Sequence, residues 1–161
     1  GQPLGILNNS GVSTIAIGTN GGIPTWGNIV DLETAVENAN VEVRGGAYLT
    51  TTAAKGLLKK TPKIGTTYPS FMWDNWGVNG NPAIASNIVP SNITKGDGTN
   101  LSAMIFGNWS DLVIGLWGGV DIQVNPYLQS TTGAISITYI LPADIELRHN
   151  QSFAKITDIA A

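Results

Sequence analysis

The 161-residue sequence predicts an α+β fold rich in short strands. Glycine (20) and proline (8) are frequent, which calls for many turns and short elements rather than a helical bundle. One stretch in the first third repeats apolar residues at intervals of three and four, the spacing of one helix face. The last third alternates apolar and polar residues with the period of two that a strand requires.

The elements follow in order. Gly1 to Leu7 is apolar and ends in a turn at Asn8-Asn9-Ser10-Gly11, and Val12 to Ile17 is a β-branched run closed by Gly18 to Gly22. Trp26 to Asn40 reads as a helix, with Ile29, Leu32, Val36 and Ala39 on one face, Asp31, Glu33 and Glu37 elsewhere, and Thr25 as N-cap. A buried strand is expected around Gly45 to Leu49. Thr51 or Thr52 then caps a second helix, Ala53 to Lys60, which buries Leu57 and Leu58 and stops before Pro62. Ile64 to Asn81 places Tyr68, Phe71, Trp73 and Trp76 among Gly, Pro and Asn, the composition of an irregular aromatic loop. Ala83 to Val89 reads as a strand ended by Pro90, Ser91 to Asn100 as a polar turn, and Leu101 to Phe106 as a strand. Trp109 to Trp117 fits no single period. Val120 to Val124, Gly133 to Leu141 and Ile145 to Leu147 alternate, and are expected to form an antiparallel meander with one face dry.

Charged residues make up only 12% of the chain and hydrophobic ones 42%, about half the usual charged share. Surface so poor in charge is either bland or covered by partners. The net charge of −3 argues against a phosphate-binding surface. The lysines Lys55, Lys59, Lys60 and Lys63 follow helical spacing and read as one solvated face. Cysteine is absent, so no thiolate metal site or disulfide forms. No apolar run reaches the roughly 20 residues of a membrane helix, and the sequence reads as soluble. Asn-x-Ser/Thr triplets at Asn8, Asn92, Asn100, Asn108 and Asn150 read as turns.

A search for chemistry finds little. The single histidine, His149, lies at the end of the last alternating segment, near Asp144 and Glu146, with no nucleophile motif to complete a triad. Paired acids for glycoside hydrolysis would have to come from Asp74, Asp111, Asp121, Asp144 and Glu146, and Trp73 with Trp76 is the best pair for a sugar platform. There is no P-loop, no dinucleotide fingerprint and no calcium loop around Asp97-Gly98. Neither an enzyme nor a cofactor, metal, membrane or small-molecule substrate is expected.

The most specific stretch is Phe106-Gly107-Asn108-Trp109-Ser110 running through Val120-Asp121-Ile122 to Val124-Asn125-Pro126-Tyr127, then Ile135-Ser136-Ile137, then Ala143 to Ala154 with Arg148-His149-Asn150-Gln151-Ser152-Phe153. It resembles the C-terminal region of tailed-phage major capsid proteins, whose fold is named after phage Hong Kong ninety-seven. Gln2-Pro3-Leu4-Gly5-Ile6-Leu7 looks like that family's entry to its axial domain, and Pro82 to Pro90 like the strand that follows. Gly80-Asn81-Pro82 keeps the family's frame, but Ala83 stands where a β-branched residue is usual.

The resemblance implies an axial domain over residues 1–106, with a central mixed or antiparallel sheet flanked by helices, and long strands over residues 107–161 that return to a peripheral domain. Full subunits carry an N-terminal arm, an extended loop and a spine helix ahead of this region, so the chain reads as the C-terminal part of a subunit. It implies a structural subunit of an icosahedral phage or prophage capsid, built from copies of itself as pentamers and hexamers, assembled in the host cytoplasm and enclosing DNA without a specific nucleic-acid motif. Tyr68, Phe71, Trp73, Trp76, Lys95 and Asp97 are the expected contacts between subunits. An encapsulin-like shell protein of the same fold is one alternative, and a β-rich carbohydrate-binding module or glycosidase is another.

Overall fold

The computed structural model describes residues 3–41, 43, 45–64, 70–129 and 131–161. Among these residues three α-helices, α1 (Gly5–Asn8), α2 (Trp26–Glu37) and α3 (Thr52–Leu58), accompany twelve strands. The first seven strands are β1 (Ser13–Thr14), β2 (Ala47–Thr50), β3 (Trp73–Asp74), β4 (Gly77–Val78), β5 (Asn81–Ala85), β6 (Ile93–Lys95) and β7 (Gly98–Gly107). They are followed by β8 (Leu112–Leu116), β9 (Asp121–Gln129), β10 (Ala134–Ile140), β11 (Ala143–Leu147) and β12 (Phe153–Ile159).

Local chemistry sets the helices. The Thr25 hydroxyl accepts from the Asn28 backbone, and the Asn28 side chain accepts from the Thr25 backbone at 2.9 Å, so both ends of a capping box are satisfied. Ile29, Leu32 and Val36 then fall on the buried face; the helix ends at Glu37, before Ala39. Thr51 caps α3 by accepting from the Ala54 N–H at 3.0 Å, and Ala54 and Leu58 are buried, while Leu57 is half-buried.

The main sheet runs β1-β12-β7-β2-β5-β4-β3, with β6 paired to β7. β1 is parallel to β12 and β2 to β5, and the other pairs are antiparallel, so the sheet is mixed as expected. Helices α2 and α3 cover one face. There Met104 and Phe106 of β7 and Ala154 and Ile156 of β12 meet Ile29, Leu32 and Leu58. Tyr48 and Phe106 are cross-strand partners whose ring centroids lie 4.5 Å apart. Ile105 and Phe153 point the other way, into a smaller cluster with Val12 and Leu147 against which Ile6 and Leu7 of α1 pack. Strands β7 and β12 are therefore dry on both faces, as in a central strand.

Four expectations change. The Ser91 to Asn100 turn is a hairpin, β6 to β7, whose two-residue link Gly96-Asp97 uses a positive φ of 57° at Gly96. The Ala83 to Val89 strand stops at Ala85, and Ser86 to Val89 is a turn whose Ser86 N–H bonds the Thr50 carbonyl at 2.9 Å. The aromatic loop contains the hairpin β3–β4. Finally, the last strands are not a meander: β9 pairs with β10 and β8 with β11, two nested two-stranded sheets that together make a ribbon, and β12 then rejoins the main sheet beside β7. A boundary at residues 106/107 is thus crossed by β12.

Candidate assembly surface

The ribbon, Leu112 to Leu147, leaves the sheet between two adjacent strands. At its base Leu112 faces Leu147, Ile114 faces Ile145 and Leu116 faces Ala143 on one side, while Val113 faces Glu146 and Gly115 faces Asp144 on the other. Leu112 and Leu147 tuck into the smaller core cluster, which anchors this end. Further out, Ile122 faces Tyr139 and Val124 faces Ile137, so these four form one apolar face, with Gln123, Thr138 and Ser136 on the reverse. The alternation read from the sequence is present, but the dry face it implied is not: all nine residues of β9 are exposed. Ile114, Leu116, Trp117, Leu128, Ile135 and Leu141 are exposed as well. Between Leu112 and Leu147 there is no lysine or arginine and only Asp121, Asp144 and Glu146 as acids. Apolar surface of this extent is unusual on an uncovered two-stranded ribbon, which is marginal in water on its own.

The loop residues expected to touch other subunits part company. Tyr68 lies outside the described residues. Trp73 is only 6% exposed and belongs to the main core, with the Lys55 ammonium 5.3 Å from its ring. That burial leaves Trp73 little surface to offer a neighbour or to pair with Trp76 as a sugar platform. Trp76, in the two-residue turn between Asp74 and Gly77, is 92% exposed, and Phe71 is exposed beside the β3 strand. Lys95 reaches inward to Asp158 at 2.6 Å, the one ion pair among the described residues. Asp97 is tied to Asn20, its N–H donating to Asn20 Oδ1 at 3.2 Å.

Buried polar groups lock the body. Asp158, 1% exposed, accepts from the Ile17 N–H at 3.0 Å as well as from Lys95, joining β12, the segment after β1 and the β6–β7 hairpin. Lys155 donates to the carbonyls of Leu7 and Asn9 at 2.8 and 2.9 Å, pinning α1 to β12, and burial holds its ammonium below the usual lysine pKa. The Tyr48 hydroxyl donates to Glu33 at 2.6 Å; burial first, and then the Glu33 hydrogen bond and charge, push its pKa far above that of an ordinary phenol. His149 is exposed at the end of β11. No cluster of three or more metal-ligating side chains occurs among the described residues, and no helix there is long and apolar enough to cross a membrane.

Sequence reasoning missed the ribbon as a surface, although the signal was there: alternating apolar residues over a long stretch with three acids and no base. An apolar groove of about 600 Å³ beside its base, lined by Leu4, Ile6, Ile88, Ile105, Trp109 and Ile145 among others, was not foreseen either.

Comparison with known proteins places this arrangement. The chain is 31% identical over 153 residues, 95% of its length, to the major capsid protein of Halomonas phage phiHAP-1, of which it spans 23%. It shares its fold with the capsid of an empty GTA particle, at TM-score 0.64 and 12% identity, covering 92% of this chain and 50% of that one. It likewise shares its fold with an encapsulin complex from Synechococcus elongatus PCC 7942, at TM-score 0.55 and 16% identity, covering 96% of this chain and 56% of that one. The chain thus spans about a quarter of that curated relative and about half of these solved structures. The sequence profile of the Phage capsid family matches residues 1–158, and with that match the mixed sheet and its projecting ribbon find their place: the chain belongs to the phage capsid family.

Proposed function

We propose that this chain is part of a structural subunit of an icosahedral phage or prophage shell that assembles from copies of itself around DNA, with no catalytic role. The observation that carries the reading is the ribbon. Its Ile122, Val124, Ile137 and Tyr139 face has no cover within the described residues, and a protein shell is an environment that supplies such cover. Family membership and the major-capsid relative support the same conclusion. The body from Pro3 to Gly107 together with β12 corresponds on this reading to the axial part, and the ribbon to the strands of the peripheral part. The encapsulin neighbour shares fold alone, so it lends no support to an enzyme cargo.

Electron microscopy of the full-length gene product tests the proposal. Closed icosahedral particles are expected. A protein that stays monomeric at all concentrations, with its ribbon face exposed, overturns it.

A further inference from the structure

We propose that Glu33 is a positioning residue that holds the β3–β5 segment in a preformed shape, and that this segment presents Trp76 as a contact to a second copy of the subunit. The inference rests on the shell reading and names one of its contacts. Trp76 is the most exposed tryptophan position one could choose, at the tip of a two-residue turn, and indole side chains in the open are the residues most often found anchoring protein interfaces.

The segment behind it is over-determined for a surface loop. Asn79 and Gly80 link β4 to β5 with φ of 51° and 78°, the left-handed pair of the favoured tight hairpin turn. At Gly77 a Cβ would collide with the Asn81 carbonyl, so only glycine permits the close approach of β4 to β5. Val78 is fully buried beneath them. Over this turn lies Glu33 of α2. Its Oε1 accepts from the Tyr48 hydroxyl at 2.6 Å and the Asn81 amide at 2.9 Å, and its Oε2 accepts from the Asn79 amide at 2.5 Å. Three donors from β2 and the β4–β5 turn thus converge on one carboxylate, and the Tyr48 donor stays protonated because burial and the carboxylate both oppose its ionisation. Asn79 is exposed, so its bond contributes little to the core. What it does is fix the β4–β5 turn, and with it strand β4, whose other end leads into the β3–β4 turn that carries Trp76; a contact ordered in advance costs less to make.

The test uses the full-length gene product and five variants, with assembly followed by light scattering and local order by hydrogen exchange of residues 74–81 in unassembled subunits. Trp76→Ala slows assembly without changing exchange. Glu33→Ala raises exchange in 74–81 about ten-fold, the effect of losing charge-assisted hydrogen bonds, leaves exchange in β7 and β12 unchanged, and slows assembly to a similar degree. Glu33→Gln, whose amide oxygen still accepts from Tyr48 and Asn81, restores most of the rate. The double variant Glu33→Ala/Trp76→Ala is no slower than Trp76→Ala alone. If Glu33→Ala fails to fold, Asn79→Ala cuts the same brace from the solvent side and decides the matter. Assembly of Trp76→Ala at the wild-type rate overturns the contact, and loosened exchange with unchanged assembly overturns the positioning role. In either case wild-type shells leave the shell reading standing, whereas a wild-type protein that never assembles sinks both.

Discussion

Strands β10 and β12 have the same length and nearly the same vocabulary, Ala-Ile-Ser-Ile-Thr-Tyr-Ile against Phe-Ala-Lys-Ile-Thr-Asp-Ile, yet six of seven residues are exposed in the first and six of seven buried in the second. What separates them is company. β12 lies between β1 and β7, with α2 over one face and α1 at the other, whereas β10 has β9 on one edge and, among the described residues, no strand on the other. Burial here is a property of connectivity more than of composition. The body has the layers a domain needs; the ribbon has the sequence of a core strand and no core to enter.

Mutations should separate the two regions by size of effect. Phe106→Ala, which empties the stack on Tyr48 in the main core, is expected to cost about 3–5 kcal/mol in urea unfolding. Trp73→Ala should cost about 3 kcal/mol by the same measurement; a cost near zero would return Trp73 to the list of surface contacts. Tyr48→Phe acts through pH. The unfolded phenol ionises above its ordinary 10.0 while the folded one keeps its proton, so the unfolded state binds fewer protons and stability falls as pH rises past 10.0. Removing the hydroxyl should flatten that alkaline slope by up to about 1.4 kcal/mol per pH unit in denaturation curves taken across the window. The smallest change in stability belongs to the ribbon. Val124→Ser with Ile137→Ser, partners on the open face, should shift unfolding by no more than about 0.5 kcal/mol while lowering self-association in sedimentation velocity. A loss of about 2 kcal/mol or more would mean that this face is covered within the chain, and the contrast with β12 would collapse.

Much of the body was legible in the sequence because its signals are local. Thr25 and Thr51 cap helices by hydrogen bonds that reach only three residues, and Ile29, Leu32 and Val36 announce a buried face by spacing alone. Three of the ribbon's four strands were legible for the same reason, while β8 fell in Trp109 to Trp117, a stretch with no single period. Their fate was not, since period two says that one face is apolar but not what lies against it. Trp73 and Trp76 show the limit at close range: both sit among Asp, Asn and Gly, and the pairing of Trp73 with Val78 puts one indole in the core and leaves the other on the turn. Lys95 likewise read as a contact to another subunit, because its partner Asp158 is 63 residues away.

Leu116 and Ala143 face each other, and the Trp117 N–H reaches the Pro142 carbonyl at 3.1 Å just beyond them. The outer hairpin therefore starts and finishes at one point, like a rod held in a single socket. Strand β9 alone extends roughly 30 Å at the usual rise per residue. Residues added or removed in register beyond the socket would change how far the rod reaches without disturbing any layer of the body. In this architecture, reach and stability are separate variables, and the distance from the sheet to the outer tip can change by insertion while the sheet that folds the chain stays the same.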